Sequence, residues 1–160
     1  MSGTKLATRP NNLYEADFYV WTREQSELLR QKRFDDLDLE NLVDEVASVG
    51  ASLKKEIRSR LKVLIAHLLK WRFQPGARSP GWRGTIDDQR SELADLLADS
   101  PSLKRYPGEN LEKCHLSGAL LAAKETGIDF SLFPEKCPFT IEQVLDAKFW
   151  PKEVGLYDQS

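Results

Sequence analysis

The chain has 160 residues, of which 41% are hydrophobic and 30% are charged, and its formal net charge is −2. This length is typical of one domain with a single hydrophobic core, and the apolar content excludes a wholly disordered protein. Two cysteines exclude a disulfide scaffold and a zinc site with four thiolate ligands, and no segment is apolar enough to span a membrane. We therefore expect a soluble, cytoplasmic protein with one domain over residues 13–155 and a flexible tail over residues 1–12.

The first two predicted helices carry regularly spaced apolar residues. Apolar side chains at steps of three, four and seven predict a helix from Tyr14 to Lys32. The same spacing predicts one long helix from Asp38 to Phe73, and it keeps its phase through Gly50. A glycine inside a helix costs about 1 kcal/mol relative to alanine, which favours an unbroken helix. The alternative is a break at Gly50, with Ser52 capping a new helix.

Proline and glycine mark the bounds of the next two helices. Ser79 and Pro80 form a cap and first position for a third helix that ends near Asp99. A fourth helix is predicted from about Glu109 to a glycine stop at Gly127.

The end of the chain combines an irregular aromatic segment with one short helix. Thr140 and Gln143 form a capping box for a last helix over Ile141 to Ala147. No run of alternating polar and β-branched residues indicates a strand. We therefore predict an all-α fold, an antiparallel bundle of four to six helices with the aromatic C-terminal segment packed on it.

The charges are unevenly distributed along the chain. Residues 54–90 carry ten Lys or Arg against three Asp or Glu, whereas residues 1–53 and 91–160 are acidic. Antiparallel helices that neutralise one another are one interpretation, and a basic strip that docks an acidic protein is another. A third is an anion-binding face for nucleic acid or another polyphosphate. Its candidate residues are Lys54, Lys55, Arg58, Lys62, Arg72 and Arg78.

Several polar side chains lie along the apolar stripes of the predicted helices. Glu56, Arg60 and His67 share one edge of the stripe of the second helix, and Gln89 lies on the inward stripe of the third. Buried polar groups need hydrogen-bonding partners, so we expect a polar seam that fixes how the helices pack. We assign to this polar seam Glu45, Glu56, Arg60, His67, Arg83 and Gln89.

The sequence contains no complete catalytic or metal-binding motif. A di-iron bundle needs a Glu-x-x-His motif on each of two helices, and Glu112 with His115 supplies one, which we interpret as a surface pair. Phosphate loops, dinucleotide fingerprints and nucleophile elbows are absent. We therefore expect no catalytic residue, no cofactor and no metal. An alternative is a metal-dependent hydrolase that uses Glu45 and His67.

Five ordered motifs resemble a known family. They are LYEADFYVWT from Leu13, DLENLVDEV from Asp38, HLLKW from His67, WRGTI from Trp82 followed by Gln89-Arg90, and FPEKCPFT from Phe133. Together they resemble the bacterial domain-of-unknown-function family 29 over residues 13–151. Pro107-Gly108 departs from the family pattern, in which this region reads as continuous helix.

The resemblance implies a small all-helical protein with no assigned activity, and it supplies no catalytic residues. The signature positions that it implies are Asp17, Trp21, Glu45, His67, Trp71, Trp82, Arg83 and Gln89, and on this ground Asp17 joins the polar seam. We predict a non-enzymatic bundle that binds another macromolecule, with protein preferred. Nucleic-acid binding through residues 54–90 is the alternative.

Overall fold

The computed structural model describes residues 13–154, and within them all regular secondary structure is helical. The α-helices are α1 (Leu13–Ala16), α2 (Phe18–Arg30), α3 (Leu39–Phe73), α4 (Pro80–Asp99), α5 (Tyr106–Glu109), α6 (Leu111–Thr126) and α7 (Ile141–Leu145). Single 3-10 turns occupy Phe34–Asp36, Pro75–Ala77, Pro101–Leu103 and Phe130–Leu132. The predicted all-α class is confirmed. The predicted tail over residues 1–12 lies outside the described residues.

The chain divides into two compact units, Met1–Gly50 and Ala51–Ser160. In the first unit, Trp21 is 2% exposed, and its indole Nε1 donates a hydrogen bond to the Asp38 carboxylate at 3.0 Å. The rings of Tyr14 and Phe18 pack on Trp21, with centroids 4.9 and 5.6 Å away. The side chain of Gln25 is buried and accepts a hydrogen bond from the Asp38 backbone N–H at 2.8 Å. These contacts anchor α1 and α2 to the start of α3.

The second unit is a helical bundle around one hydrophobic core. Its fully buried side chains come from α3, α4, α6 and α7, and include Ile57, Leu61, Leu64, Leu68, Ile86, Leu93, Ala122 and Val144. Phe133 and Phe139 of the aromatic C-terminal segment are buried in the same core, as predicted. The Phe133 ring meets Phe73, at the end of α3, edge to face at 5.7 Å.

The long helix α3 continues through Gly50 without a break, as predicted. A Cβ added at Gly50 would have no atom within 4 Å, so no close contact requires a glycine there. Continuity therefore follows from the unbroken apolar phase on both sides of the glycine, which outweighs its low helix propensity.

The prediction of a single first helix from Tyr14 to Lys32 is wrong. The chain leaves the helical conformation at Asp17, with φ −151° and ψ 86°, and the Asp17 carboxylate accepts a hydrogen bond from the Val20 backbone N–H at 3.0 Å. Asp17 thus caps a new helix, because its short carboxylate satisfies a free N–H of the first turn. At the other end α2 stops at Arg30, and Lys32 adopts a positive φ of 58°.

The predicted cap at Ser79 is confirmed, because its hydroxyl accepts a hydrogen bond from the Trp82 backbone N–H at 3.2 Å. The glycine stop is confirmed by Gly127, whose φ of 75° is left-handed. The capping box of Thr140 and Gln143 is also present. Local cap chemistry therefore sets these bounds.

Two helix ends differ from the prediction. The short helix α5 precedes α6, which begins at Leu111, two residues after the predicted start. The last helix ends at Leu145, because Asp146 turns extended and its carboxylate accepts a hydrogen bond from the Lys148 backbone N–H at 2.8 Å. Within residues 13–154 no helix combines the length and the apolar character needed to cross a membrane.

Candidate functional site

The first turns of α3 carry four large apolar side chains on the surface of the protein. Leu39, Val43, Val46 and Val49 recur at steps of three and four, so they share one face of the helix. Their exposed fractions are 63%, 57%, 68% and 63%. We call these four residues the α3 stripe.

The α3 stripe is exposed, whereas the apolar face farther along the same helix is buried. The helical spacing continues into Ile57, Leu61 and Leu64, and these side chains are buried in the core of the second unit. An amphipathic helix normally turns such a face toward a core. Valine is also a weaker helix former than alanine, so the three valines do not serve the stability of the helix itself. Among the described residues the stripe is an exposed apolar face.

The helical segment that carries the α3 stripe is acidic. Residues 39–50 include Glu40, Asp44 and Glu45 and no Lys or Arg. Glu40 and Asp44 are exposed. Glu45 accepts a short hydrogen bond from the Tyr14 hydroxyl and another from the Ser48 hydroxyl, at 3.4 Å. The helical segment that carries the stripe is therefore net negative.

Three members of the predicted polar seam meet between α3 and α4. Arg60 donates to Glu56 from Nε at 3.0 Å and from Nη2 at 2.9 Å, and its Nη1 donates to the Gln89 side-chain oxygen at 3.3 Å. Glu92, which the sequence analysis did not single out, completes the cluster with a carboxylate 3.3 Å from Arg60. The Arg60 side chain is 26% exposed. This arrangement pairs the charges across two helices and fixes their register.

His67 lies in a second cluster, around the buried Lys70. Its Nδ1 donates to the Val63 carbonyl at 2.9 Å, so Nε2 can accept from the Lys70 ammonium at 3.4 Å. Lys70 is 5% exposed, donates to the Glu125 carboxylate at 2.8 Å and lies 4.7 Å from the centroid of the Trp82 ring. Burial lowers the pKa of His67, as does the nearby Lys70 cation, while the hydrogen bond from Lys70 lowers the pKa of Glu125.

We expect His67 to make the protein less stable in mild acid. Its pKa in the folded state lies below the ordinary value of 6.5, so the unfolded chain binds more protons as the pH falls. The contribution of neutral His67 to the free energy of unfolding is therefore complete above about pH 6.5 and is lost as the pH falls through the lower pKa of the folded state. Differential scanning calorimetry at about pH 7.5 and about pH 5.5 should show a smaller fall in Tm for His67→Gln than for the wild type. Equal falls in the two proteins would contradict this assignment.

The remaining members of the predicted polar seam have other partners. Asp17 caps α2, and Glu45 accepts from Tyr14. Arg83 is exposed and stacks on Trp150, with its Cζ 5.2 Å from the ring centroid. The predicted residues thus form separate local groups, and each group has its own partners.

Arg90 is a buried polar residue of the core that was not assigned to the polar seam. It is 4% exposed, and its Nε and Nη2 donate to the carbonyls of Val144 and Gln143 at 2.8 and 3.2 Å, which joins α4 to α7. Burial lowers its pKa.

The interpretation of Glu112 and His115 as a surface pair is wrong for the histidine. His115 is 1% exposed, and its Nε2 donates to the Pro134 carbonyl at 2.8 Å. Glu112 is exposed and accepts from the Cys137 backbone N–H at 3.1 Å. Both side chains thus hold the aromatic C-terminal segment against α6.

The structure places no group of three or more His, Cys, Asp or Glu side chains that could hold a metal within residues 13–154. Glu45 and His67, the residues of the hydrolase alternative, belong to different compact units. Each has the local partners described above.

The predicted anion-binding residues fall into two places. Lys54 and Arg58 flank the Tyr106 ring, and Lys55, Arg58 and Lys62 line a pocket together with Lys113. Arg72 lies over the rings of Phe73 and Phe139, and Arg78 lies over Trp71 at 4.9 Å and donates to its carbonyl. Lys113 was missed because it is far away in sequence, in an acidic part of the chain.

Comparison with known proteins identifies a family. No curated protein and no solved structure matches the chain. The family model described as Domain of unknown function DUF29 matches residues 13–150, which include every helix described above. This chain belongs to the DUF29 family of domains of unknown function.

Proposed function

We propose that this domain binds another protein through the α3 stripe, and that the partner presents an amphipathic helix with basic flanks. The observation that supports the proposal is the exposure of four large apolar side chains on one helical face, between 57% and 68% each. Helix-in-groove and helix-on-helix recognition use apolar anchors at this spacing. Removing these side chains from water supplies the driving force for association.

The charge of the helical segment favours a basic partner over a second copy of the chain. Residues 39–50 carry three carboxylates and no cation. A second copy that paired along the same stripe would bring three more carboxylates to the interface, and like charges there oppose association. Lys or Arg beside the apolar face of a partner helix would instead attract these carboxylates, speed association and fix the register of the complex.

We further propose a cytoplasmic location. Cys114 and Cys137 are free thiols, and Cys114 is buried. Unpaired cysteines in a chain of this size are typical of a reducing compartment.

Calorimetric titration with two synthetic amphipathic helices tests the binding proposal. Both peptides carry leucine at the a and d positions, and the flanking positions hold Lys in one peptide and Glu in the other. We expect the Lys-flanked peptide to bind the wild type. Val46→Asp should weaken this binding by about tenfold or more, because it places a charge in the apolar contact. Ala47→Asp is the matched control, because it adds the same charge beside the stripe and should not weaken binding.

Three outcomes would contradict the proposal. If the Glu-flanked peptide binds as tightly as the Lys-flanked peptide, the partner does not need basic flanks. If Val46→Asp and Ala47→Asp weaken binding equally, the apolar face does not contribute to binding. Sedimentation that shows a dimer of the wild type and a monomer of Val46→Asp would identify a second copy as the occupant.

A further inference from the structure

A small basic pocket lies between α3 and α6 in the second unit. Its volume is about 130 Å³. Its walls hold four cations and two hydroxyls, with Cys114 as the remaining residue, and no carboxylate. The lining residues are Lys55, Arg58, Ser59 and Lys62 from α3, and Lys113, Cys114 and Ser117 from α6.

Two other basic residues of the second unit, Arg60 and Lys70, have carboxylate partners that the four pocket cations lack among the described residues. Arg60 pairs with Glu56 and Glu92, and Lys70 pairs with Glu125. Across the described part of the chain, none of the four pocket cations lies within ion-pair distance of a carboxylate. Like charges held together without a counter-charge repel one another, so a bound anion would stabilise this arrangement.

Packing below the pocket holds its walls in place. Arg58 donates a short hydrogen bond to the Tyr106 hydroxyl, which orients its guanidinium. At Gly118 the helices approach so closely that an added Cβ would lie 3.0 Å from the Lys62 carbonyl oxygen. Burial raises the pKa of the Cys114 thiol, while the charges of Arg58, Lys113 and Lys62 act to lower it. The positions of the basic side chains therefore follow from the fixed contact between α3 and α6.

We propose that this pocket binds a phosphate monoester group. Lysine and arginine bind phosphate through charge-assisted hydrogen bonds, and the Ser59 hydroxyl adds a neutral donor, whereas the Ser117 hydroxyl donates to the Lys113 carbonyl at 3.3 Å. The doubly charged monoester uses several cations at once, whereas the phosphodiester of a nucleic acid carries one charge per phosphate. A nucleic-acid track would need basic residues in a continuous row. Arg72 and Arg78 lie instead over aromatic rings elsewhere in the unit, which favours a compact site for one group.

Isothermal titration calorimetry of the full chain with phenyl phosphate at low salt tests the proposal. We expect phenyl phosphate to bind more tightly than phenyl sulfate, which carries one charge fewer. Lys62→Gln and Lys113→Gln should each weaken binding by about tenfold, because each removes one charge-assisted contact. Lys124→Gln is the matched control, because it removes the same charge from the exposed end of α6 and should leave binding unchanged.

Circular dichroism is recorded for each variant before titration to check that it is folded. The proposal is overturned if phenyl phosphate does not bind at millimolar concentration, or if Lys124→Gln weakens binding as much as the two pocket variants. A third arm uses single-stranded DNA with and without a terminal phosphate. Tighter binding of the phosphorylated strand supports the proposal, whereas equal binding of the two strands identifies a nucleic-acid backbone site and overturns it.

Discussion

Gly118→Val is expected to lower the free energy of unfolding by about 3 kcal/mol, the upper part of the range for overpacked cores. A Cβ at Gly118 would lie 3.0 Å from the Lys62 carbonyl oxygen and 3.2 Å from both the Ala66 backbone nitrogen and the Ile65 Cγ2. Two of these three contacts are with the backbone of α3, which cannot turn aside as a side chain can. The two methyl groups of valine enlarge the overlap, so α6 must move away from α3.

The matched control is Gly84→Ala, in the interior of α4. A Cβ at Gly84 would have no atom within 4 Å, so the change removes only the low helix propensity of glycine. We expect it to raise the free energy of unfolding by up to about 1 kcal/mol. Urea denaturation monitored by circular dichroism measures both variants. A Gly118→Val protein as stable as the wild type would show that the two helices are not in the described contact.

Glu125→Ala is expected to lower the free energy of unfolding by about 2 kcal/mol, whereas Lys70→Met should leave it nearly unchanged. The Lys70 side chain is 6% exposed and the Glu125 side chain 41% exposed. Removing the carboxylate leaves a buried ammonium without a counter-charge, whereas replacing the lysine with an apolar residue of similar length removes the need for one. Because Glu125 is partly in water, the loss should be below the range for fully buried pairs.

Thermal and urea denaturation of both variants at neutral pH measure this asymmetry. For a chain of this size, 2 kcal/mol corresponds to a fall in Tm of about 4–8 °C. Glu135→Ala, at an exposed carboxylate of the same unit, is the control and should change Tm little. Equal destabilisation by Lys70→Met and Glu125→Ala would mean that the pair itself stabilises the bundle.

Local signals were sufficient to predict much of the fold. The caps at Ser79 and Thr140 and the glycine stop at Gly127 act within a few residues of the chain, so their chemistry is visible in the sequence. The continuity of α3 followed from its apolar phase. The helix cap at Asp17 was not predicted, because its carboxylate falls within a continuous helical pattern and its capping role depends on the backbone turning there.

The arrangement of the polar groups depends on tertiary contacts that a helical wheel does not contain. The wheel placed Arg60 and His67 on one edge, but Arg60 faces Gln89 on α4 and the Lys70 cluster of His67 faces Glu125 on α6. Lys113 of α6 completes the basic pocket, although it lies 51 positions after Lys62 in the sequence. Pairings of this kind arise only after the helices have packed.

The exposure of the α3 stripe could not be predicted from the sequence either, because its apolar residues have the same spacing as those of the buried part of α3. Val46 is 68% exposed, whereas Leu64 is fully buried, although both occupy the same face of the helix. Which part of the face is covered depends on where the neighbouring helices end.

Amide chemical-shift mapping by NMR is the most direct test of the claim that the α3 stripe is the protein-binding surface. The uniformly labelled protein is titrated with the Lys-flanked amphipathic peptide, and the amide shifts are followed at each step. We expect concentration-dependent shifts concentrated between Leu39 and Val49, and we expect them to be lost in Val46→Asp. Shifts confined to other helices, or unchanged by Val46→Asp, would contradict it.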